Sequence, residues 1–395
     1  MVEPKLLVFS SLFPSQKRPN AGVFIRERMF RVKQEIPVIV VSPVPWFPFQ
    51  GIIRYRRPHF RPIPNKYEEQ QGVYVYFPRF LSVPGLLKSC DGFFMALGSL
   101  ATLVKLRHHF NIIDAHFAYP DGYAATLLGK WLKIPVTITL RGTEVPLSKI
   151  PGRKARLLTA LKNATRVFSV SDSLKQHVVS LGAEINKIRV IGNGIDVVKF
   201  YPLAKSVARA ELNIPEDAKV LVSVGGLVDR KGFHRVIEVL PTLVAKYPEL
   251  IYLIVGGDSP EGNIRERLEQ QVKTLKLEAN VRFLGAYPSE QLKLPLSAAD
   301  LFVLATANEG WANVFLEAMA CGLPVITTEV GGNKEVVNDP GLGTVVPFGD
   351  SESLLAALMQ GLETVWDRSL IIQYARENSW DTRVKILVEE FQRIV

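Results

Sequence analysis

Residues Asn308–Gly332 read NEGWANVFLEAMACGLPVITTEVGG. Two glutamates, Glu309 and Glu317, stand eight positions apart in this stretch. The apolar run Leu301–Ala305 comes just before it, and PVITT occupies Pro324–Thr328. Short apolar runs on either side of a segment with helical spacing predict strand, loop, helix, strand. Glu309 falls on the loop at the first strand's carboxyl end, beside Gly310. Glu317 falls inside the helix, four residues after Asn313 and on the same face. In open α/β sheets, ligands bind outside the carboxyl ends of the strands. A helix that starts there offers free N–H groups and a partial positive charge to an anion, and Gly310 lets the backbone come close. The stretch therefore suits a ligand with a phosphate for the amides and hydroxyls for the two carboxylates. A sugar nucleotide carries both.

The wider motif EGWANVFLEAMACGLPVITTEVGGNKEVV, Glu309–Val337, resembles the signature of the retaining glycosyltransferase family 4. The resemblance implies the GT-B fold: two Rossmann-like, doubly wound α/β domains facing a central cleft. It further implies that Glu309 contacts the donor sugar's hydroxyls and Glu317 the ribose. Gly310, Trp311, Ala312, Asn313 and Val314 would line the sugar and diphosphate site.

Working outward, VGGLVDRKG (Val224–Gly232) resembles the family's GRLxxxKG turn, whose Arg and Lys neutralise the donor diphosphate. Lys231 matches that lysine. Gly226 stands where the arginine is expected, and Arg230 is the nearest cation able to replace it. The family's HGxD motif is RGTE here, Arg141–Glu144. Arginine stays charged and cannot shuttle a proton near neutral pH, but it can grip a carboxylate or phosphate in bidentate fashion. Arg141 is therefore a candidate for an anionic sugar or acceptor, and Glu144 either orients it or is a surface acid. His116, in DAHFAYPDG, follows a buried strand and resembles the histidine of the family's HxxYPxG element. Gly22 resembles the glycine of the first-strand loop SSLFPSQKRPNAGVFIRER, where Lys17, Arg18 and Arg26 are candidates to meet an acceptor phosphate. The candidate catalytic set is thus Glu309, His116 and Arg141. The SLFP and RGTE elements also resemble the family's polysaccharide enzymes, the teichuronic-acid type included.

Strand and helix patterns alternate through the whole chain, which predicts parallel, doubly wound sheets. The boundaries expected are an acceptor-side domain over residues 1–195 and a donor-binding domain over 196–379. The amphipathic helix 380–395 is expected to return to the first domain. At 395 residues and 47% hydrophobic, the chain is long enough for two cores. No apolar run approaches the ~20 residues of a membrane span, and the N-terminus lacks the basic n-region of a signal peptide. Cys90 and Cys321 form neither a metal spacing nor a disulfide framework, which favours a reduced, cytoplasmic setting.

Net charge is +10, but it is segregated. Residues 1–195 hold 28 Lys and Arg against 11 Asp and Glu, +17, and the remainder carries −7. A basic half suits an anionic membrane face or a phosphate-bearing acceptor, and no nucleic-acid-binding motif is present. Trp46–Tyr67 mixes Trp46, Phe47, Phe49 and Tyr55 with Arg54, Arg56, Arg57 and Arg61. This irregular span reads as a bilayer-facing segment or a half-buried loop. The expected function is a retaining glycosyltransferase with no metal or cofactor, because no Asp-x-Asp motif appears. It would move a sugar from a nucleoside diphosphate donor to a saccharide or lipid-linked acceptor at the inner membrane face. The alternatives are a nucleotide-sugar epimerase on the same fold and a weakened donor-binding subunit, the latter favoured by Gly226 and Arg141.

Overall fold

The computed structural model describes residues 3–19, 21–56, 60–259 and 261–395. Arg57 lies outside the described residues, as do the side chains of Arg54 and Arg56. The chain divides into two compact units, Met1–Gly192 with Asp381–Val395, and Asn193–Trp380.

Unit 1 contains β1 (Leu6–Phe9), β2 (Val38–Val41), β3 (Val44–Trp46), β4 (Tyr67–Gln70), β5 (Val73–Tyr76), β6 (Arg79–Leu81), β7 (Ile112–His116), β8 (Val136–Leu140), β9 (Arg166–Ser169) and β10 (Ile188–Val190). Eight of these form one sheet in the order β10-β9-β8-β7-β1-β2-β5-β4, and β3 pairs with β6 separately. All the pairings are parallel except the β4–β5 hairpin at the edge. β1, β7 and β8 are buried on both faces, as a parallel sheet covered by helices requires. The helix Trp380–Gln392 packs into this unit. Val384, Leu387 and Phe391 join its core, and Phe391 meets Phe168 edge-on at 5.7 Å. Buried Glu390 accepts from Arg166 at 2.8 Å and also pairs with Arg189.

Unit 2 contains β11 (Val220–Val224), β12 (Ile251–Val255), β13 (Val281–Gly285), β14 (Leu301–Leu304), β15 (Val325–Thr328) and β16 (Gly343–Val346). They pair in the order β13-β12-β11-β14-β15-β16, all parallel. This is the doubly wound order, with its switch point between β11 and β14. In unit 1 the corresponding reversal lies between β1 and β7.

The span from Trp46 to Tyr67 is not wholly irregular: Gln50–Arg56 is a short helix. Its aromatic residues divide between half-buried and exposed positions. Trp46 and Phe47 are half-buried, whereas Phe49, Ile52 and Tyr55 are exposed. Arg61 lies over the Phe47 and Phe60 rings and donates to Ser82 O at 2.5 Å.

Candidate active site

In unit 2 the turns after β11 and β14 carry the charged groups. After β11 the chain forms a short 3-10 turn, Asp229–Lys231, and enters the helix Phe233–Lys246 through Gly232. Gly232 has φ +76°, and a Cβ there would lie 1.9 Å from Ala305 O. Only glycine allows that approach. Two bonds staple this turn to the loop after β14: Ala307 N donates to Arg230 O at 2.7 Å, and Thr306 Oγ1 donates to the same carbonyl at 2.9 Å.

The staple brings Lys231 to Glu309. Lys231 Nζ is 2.6 Å from Glu309 Oε1, and Thr306 Oγ1 is 3.2 Å from the same oxygen. Arg230 reaches Glu309 at 3.4 Å, but its closer partner is Glu261, at 2.7 Å through two nitrogens. A side chain at Gly226 would require Ser259 to shift, because a Cβ would lie 2.9 Å from Ser259 Cβ.

Beyond Glu309, Gly310 and Trp311 lead to Ala312, which precedes the helix Asn313–Ala320 without a side-chain cap. Phe315 N donates to Ala312 O at 3.1 Å, and the N–H groups before it are of the kind that bind an anion at a helix start. Asn313 Oδ1 accepts from Asn193 at 3.0 Å. Trp311 and Val314 pack against the core, and Trp311 Nε1 is buried without an acceptor. Glu317 is half-buried on this helix, with no hydrogen-bond or ion-pair partner among the described residues. Burial pushes its carboxyl up to about 7, against the opposing pull of Lys199 and Lys231. On the far side of the loop, Gly331 has φ +52°, and a Cβ there would lie 1.7 Å from Glu309 O. Gly332 N donates to that carbonyl at 3.3 Å.

Unit 1 places His116 and Arg141 together at the ends of neighbouring strands. In the β7–β8 register Asp114 faces Thr137 and His116 faces Thr139. Thr137 Oγ1 donates to Asp114 Oδ1 at 2.7 Å. His116 is fully buried, with Nε2 3.4 Å from Asp114 Oδ2. Its Nδ1 accepts from Arg141 Nε at 3.1 Å. A guanidinium cannot accept, so the imidazole is neutral with its proton on Nε2. Burial, helped by Arg141, pushes its pKa down to about 4. The Arg141 guanidinium lies 5.1 Å above the Phe24 ring.

Glu144 is not a surface acid: it is fully buried. It accepts from Ala118 N at 3.0 Å, Arg141 N at 3.2 Å and Gly142 N at 2.8 Å, which fixes the RGTE turn. Gly22 is buried at the start of the helix Val23–Val32 with φ +69°. Lys17 is exposed, and Arg18 and Arg26 are half-buried.

Sequence reasoning missed Thr306, Asn193, Lys199 and Arg28. Arg28 is fully buried in unit 1, and its terminal nitrogens have no partner. Its signal was present in the sequence, because Ile25, Arg28, Met29 and Val32 share one helical stripe.

Comparison with known proteins decides the family. Residues 204–378 match the model "Glycosyl transferases group 1" and residues 32–199 match "Glycosyltransferase Family 4". A putative teichuronic acid biosynthesis glycosyltransferase, TuaC of Bacillus subtilis, is 30% identical over 335 residues, 83% of this chain and 82% of that protein. The chain belongs to glycosyltransferase family 4. An N-acetyl-alpha-D-glucosaminyl L-malate synthase of Bacillus anthracis is 27% identical and covers 76% of this chain and 78% of its own length. The family 4 chain also shares its fold with Anabaena Alr3699/HepE, solved in complex with UDP. The TM-score is 0.75 at 19% identity, covering 98% of this chain and 100% of the other. A sucrose-phosphate synthase from Thermosynechococcus elongatus gives the same TM-score at 21% identity, covering 99% of each. The fold is GT-B, and the protein is a glycosyltransferase. No helix among the described residues is long and apolar enough to cross a membrane.

Proposed function

We propose that the protein is a retaining, metal-independent glycosyltransferase of cell-envelope polysaccharide synthesis. It would move a sugar from a UDP-sugar to a saccharide or lipid-linked acceptor at the inner membrane face. One observation carries the reading. The switch point of unit 2 brings together a lysine–glutamate pair, an uncapped helix start and a carboxylate, Glu317, with no hydrogen-bond or ion-pair partner among the described residues. Lys231, Arg230 and the amides at Gly310–Val314 hold the diphosphate. Glu309 accepts from the sugar hydroxyls, and Glu317 accepts from the ribose. UDP is the first nucleotide to test because HepE is solved with it.

In the reaction the acceptor oxygen forms a bond to the anomeric carbon on the face that the diphosphate leaves. The bond from that carbon to the phosphate oxygen breaks, and the acceptor's proton passes to the departing phosphate. Lys231 and the helix amides stabilise the charge that develops on UDP, which is the kind of preorganised electrostatic help that most lowers barriers. Arg141 contacts an anionic group of sugar or acceptor. His116, neutral and enclosed, positions Arg141. The cationic character of unit 1 supports an acceptor at an anionic membrane surface.

A thermal-shift panel of UDP-, GDP-, ADP- and TDP-sugars tests the donor, with UDP-sugars expected to stabilise most. The anomeric configuration of the product, read by NMR, tests retention. Turnover should persist in a chelator. If chelation abolishes it and magnesium restores it, the metal-independent mechanism is wrong.

A further inference from the structure

The helix Asp91–Lys105 has two apolar faces, and the core covers only one of them. From Gly92 to Val104 no residue is charged. The inner face buries Met95, Ala96, Ser99 and Leu103. It crosses β6 so closely that a Cβ on Gly98 would lie 2.4 Å from Arg79 O. The outer face exposes Phe93, Leu97, Ala101 and Val104, a stripe at helical spacing. Phe93 is 43% exposed, Leu97 48% and Val104 54%. A helix facing water carries polar residues there. Just upstream, Leu86 and Leu87 are more exposed still.

A groove of about 510 Å³ runs along the second half of the same helix, past Gly98 and Thr102. Its lining includes Lys66, Arg79 and Lys105, together with Tyr67 and Tyr76, and no acidic residue. None of the three cations has a hydrogen-bond or ion-pair partner among the described residues. An apolar stripe beside unneutralised cations and tyrosines matches the layered chemistry of a bilayer interface, with acyl chains below and phosphates above.

We propose that this face seats the protein on an anionic phospholipid bilayer. The Phe93–Val104 stripe enters the boundary between headgroups and acyl chains. Lys66, Arg79 and Lys105 take the lipid phosphates. The inference rests on the membrane-facing reading above and names the surface responsible, which the sequence had placed at Trp46–Tyr67. A second copy of the chain is the weaker candidate for the stripe. Residues 1–195 carry +17, so two such faces would bring like charges together within a Debye length of ~8–10 Å.

The test is flotation of the full chain with phosphatidylcholine vesicles, with and without phosphatidylglycerol. The parent should bind the anionic vesicles and release at high salt. F93Q/L97Q, on an exposed face, should keep the parent's melting temperature and lose binding by about tenfold or more. K66Q/R79Q/K105Q should lose the preference for phosphatidylglycerol. K273Q/K276Q/K334Q, with the same charge change in unit 2, should bind like the parent. Inorganic phosphate and chloride at equal ionic strength should release the protein equally, and selective release by phosphate would assign the groove to a free-phosphate site. If the parent binds and F93Q/L97Q binds as tightly, the surface is wrong while the membrane reading stands. If the parent does not bind, both fall. A parent dimer that F93Q/L97Q makes monomeric, with vesicle binding unchanged, gives the stripe to a second copy.

Discussion

Two segments at strand ends close to the two switch points, one in each sheet, resolve their charge in opposite ways. The turn after β8 in unit 1 holds its carboxylate internally, although His116 Nε2 has no hydrogen-bond partner. Glu144 takes three backbone N–H groups, and His116 sits between Asp114 and Arg141. The segment after β14 in unit 2 leaves Glu317 without a hydrogen-bond or ion-pair partner among the described residues, and ties Glu309 to Lys231. Saturated groups make a rigid scaffold. Unsaturated ones hold binding energy in reserve, because a half-buried carboxylate gains most when a donor arrives.

The strongest way to break this contrast is Glu309→Ala. Turnover should fall by about two to three orders of magnitude, as for loss of a preorganised polar contact to the transition state. UDP affinity should change far less, because the sugar is the partner. Steady-state kinetics beside a UDP titration decides it, and an equal loss in both would misplace Glu309. Glu144→Ala is the mirror experiment in unit 1. It strands three N–H groups and should cost about 2–4 kcal/mol in denaturant unfolding, with UDP affinity intact. A stable variant with weakened UDP binding would make that turn part of the donor site.

Lys231→Ala should lower donor affinity and turnover together by about one to two orders of magnitude, from a charged hydrogen bond of ~1.5–3 kcal/mol. Loss of turnover alone would move Lys231 away from the ground-state diphosphate.

The smallest effect sharpens the contrast through pH. Burial holds the Glu317 carboxyl at about 7, above its ordinary 4.5. The protonated form is the one the free fold favours. Its contribution to stability is full below 4.5 and is lost as pH rises through about 7. Nucleotide binding runs the other way. Ribose hydroxyls donate to the carboxylate and lower its pKa, so UDP affinity should rise a few-fold as pH climbs through about 7, with proton release on binding. Glu317→Gln should abolish both dependences. Calorimetry in buffers of different ionisation enthalpy measures the protons, and zero release in the parent would remove Glu317 from the ribose.

The parts of this molecule that sequence reveals are those where burial is symmetric. β1, β7, β8, β11, β12, β14 and β15 are buried along their whole length and stand out as apolar runs. The edge strands β4 and β16 do not. YEEQ of β4 buries only Glu68, which accepts from Gln16 N at 3.0 Å. GTVV of β16 is half-buried at its centre. The helix Gln50–Arg56 was hidden by the prolines around it. The strand, loop, helix and strand around Asn308–Gly332 were legible because two apolar runs flank a segment of helical spacing. The Arg141–His116–Asp114 chain was not, because it depends on the β7–β8 register. That register sets side by side residues more than twenty positions apart in sequence.

The glycine contacts around Glu309 have a mechanical meaning. Gly232 abuts Ala305 O, and Gly331 abuts Glu309 O. The turns after β11, β14 and β15 are thus packed backbone against backbone. On the proposed reading a donor would be accommodated by exchange of side-chain partners, with the diphosphate drawing Lys231 from Glu309. Retuning this enzyme toward another sugar nucleotide is then a matter of replacing side chains on that packed backbone.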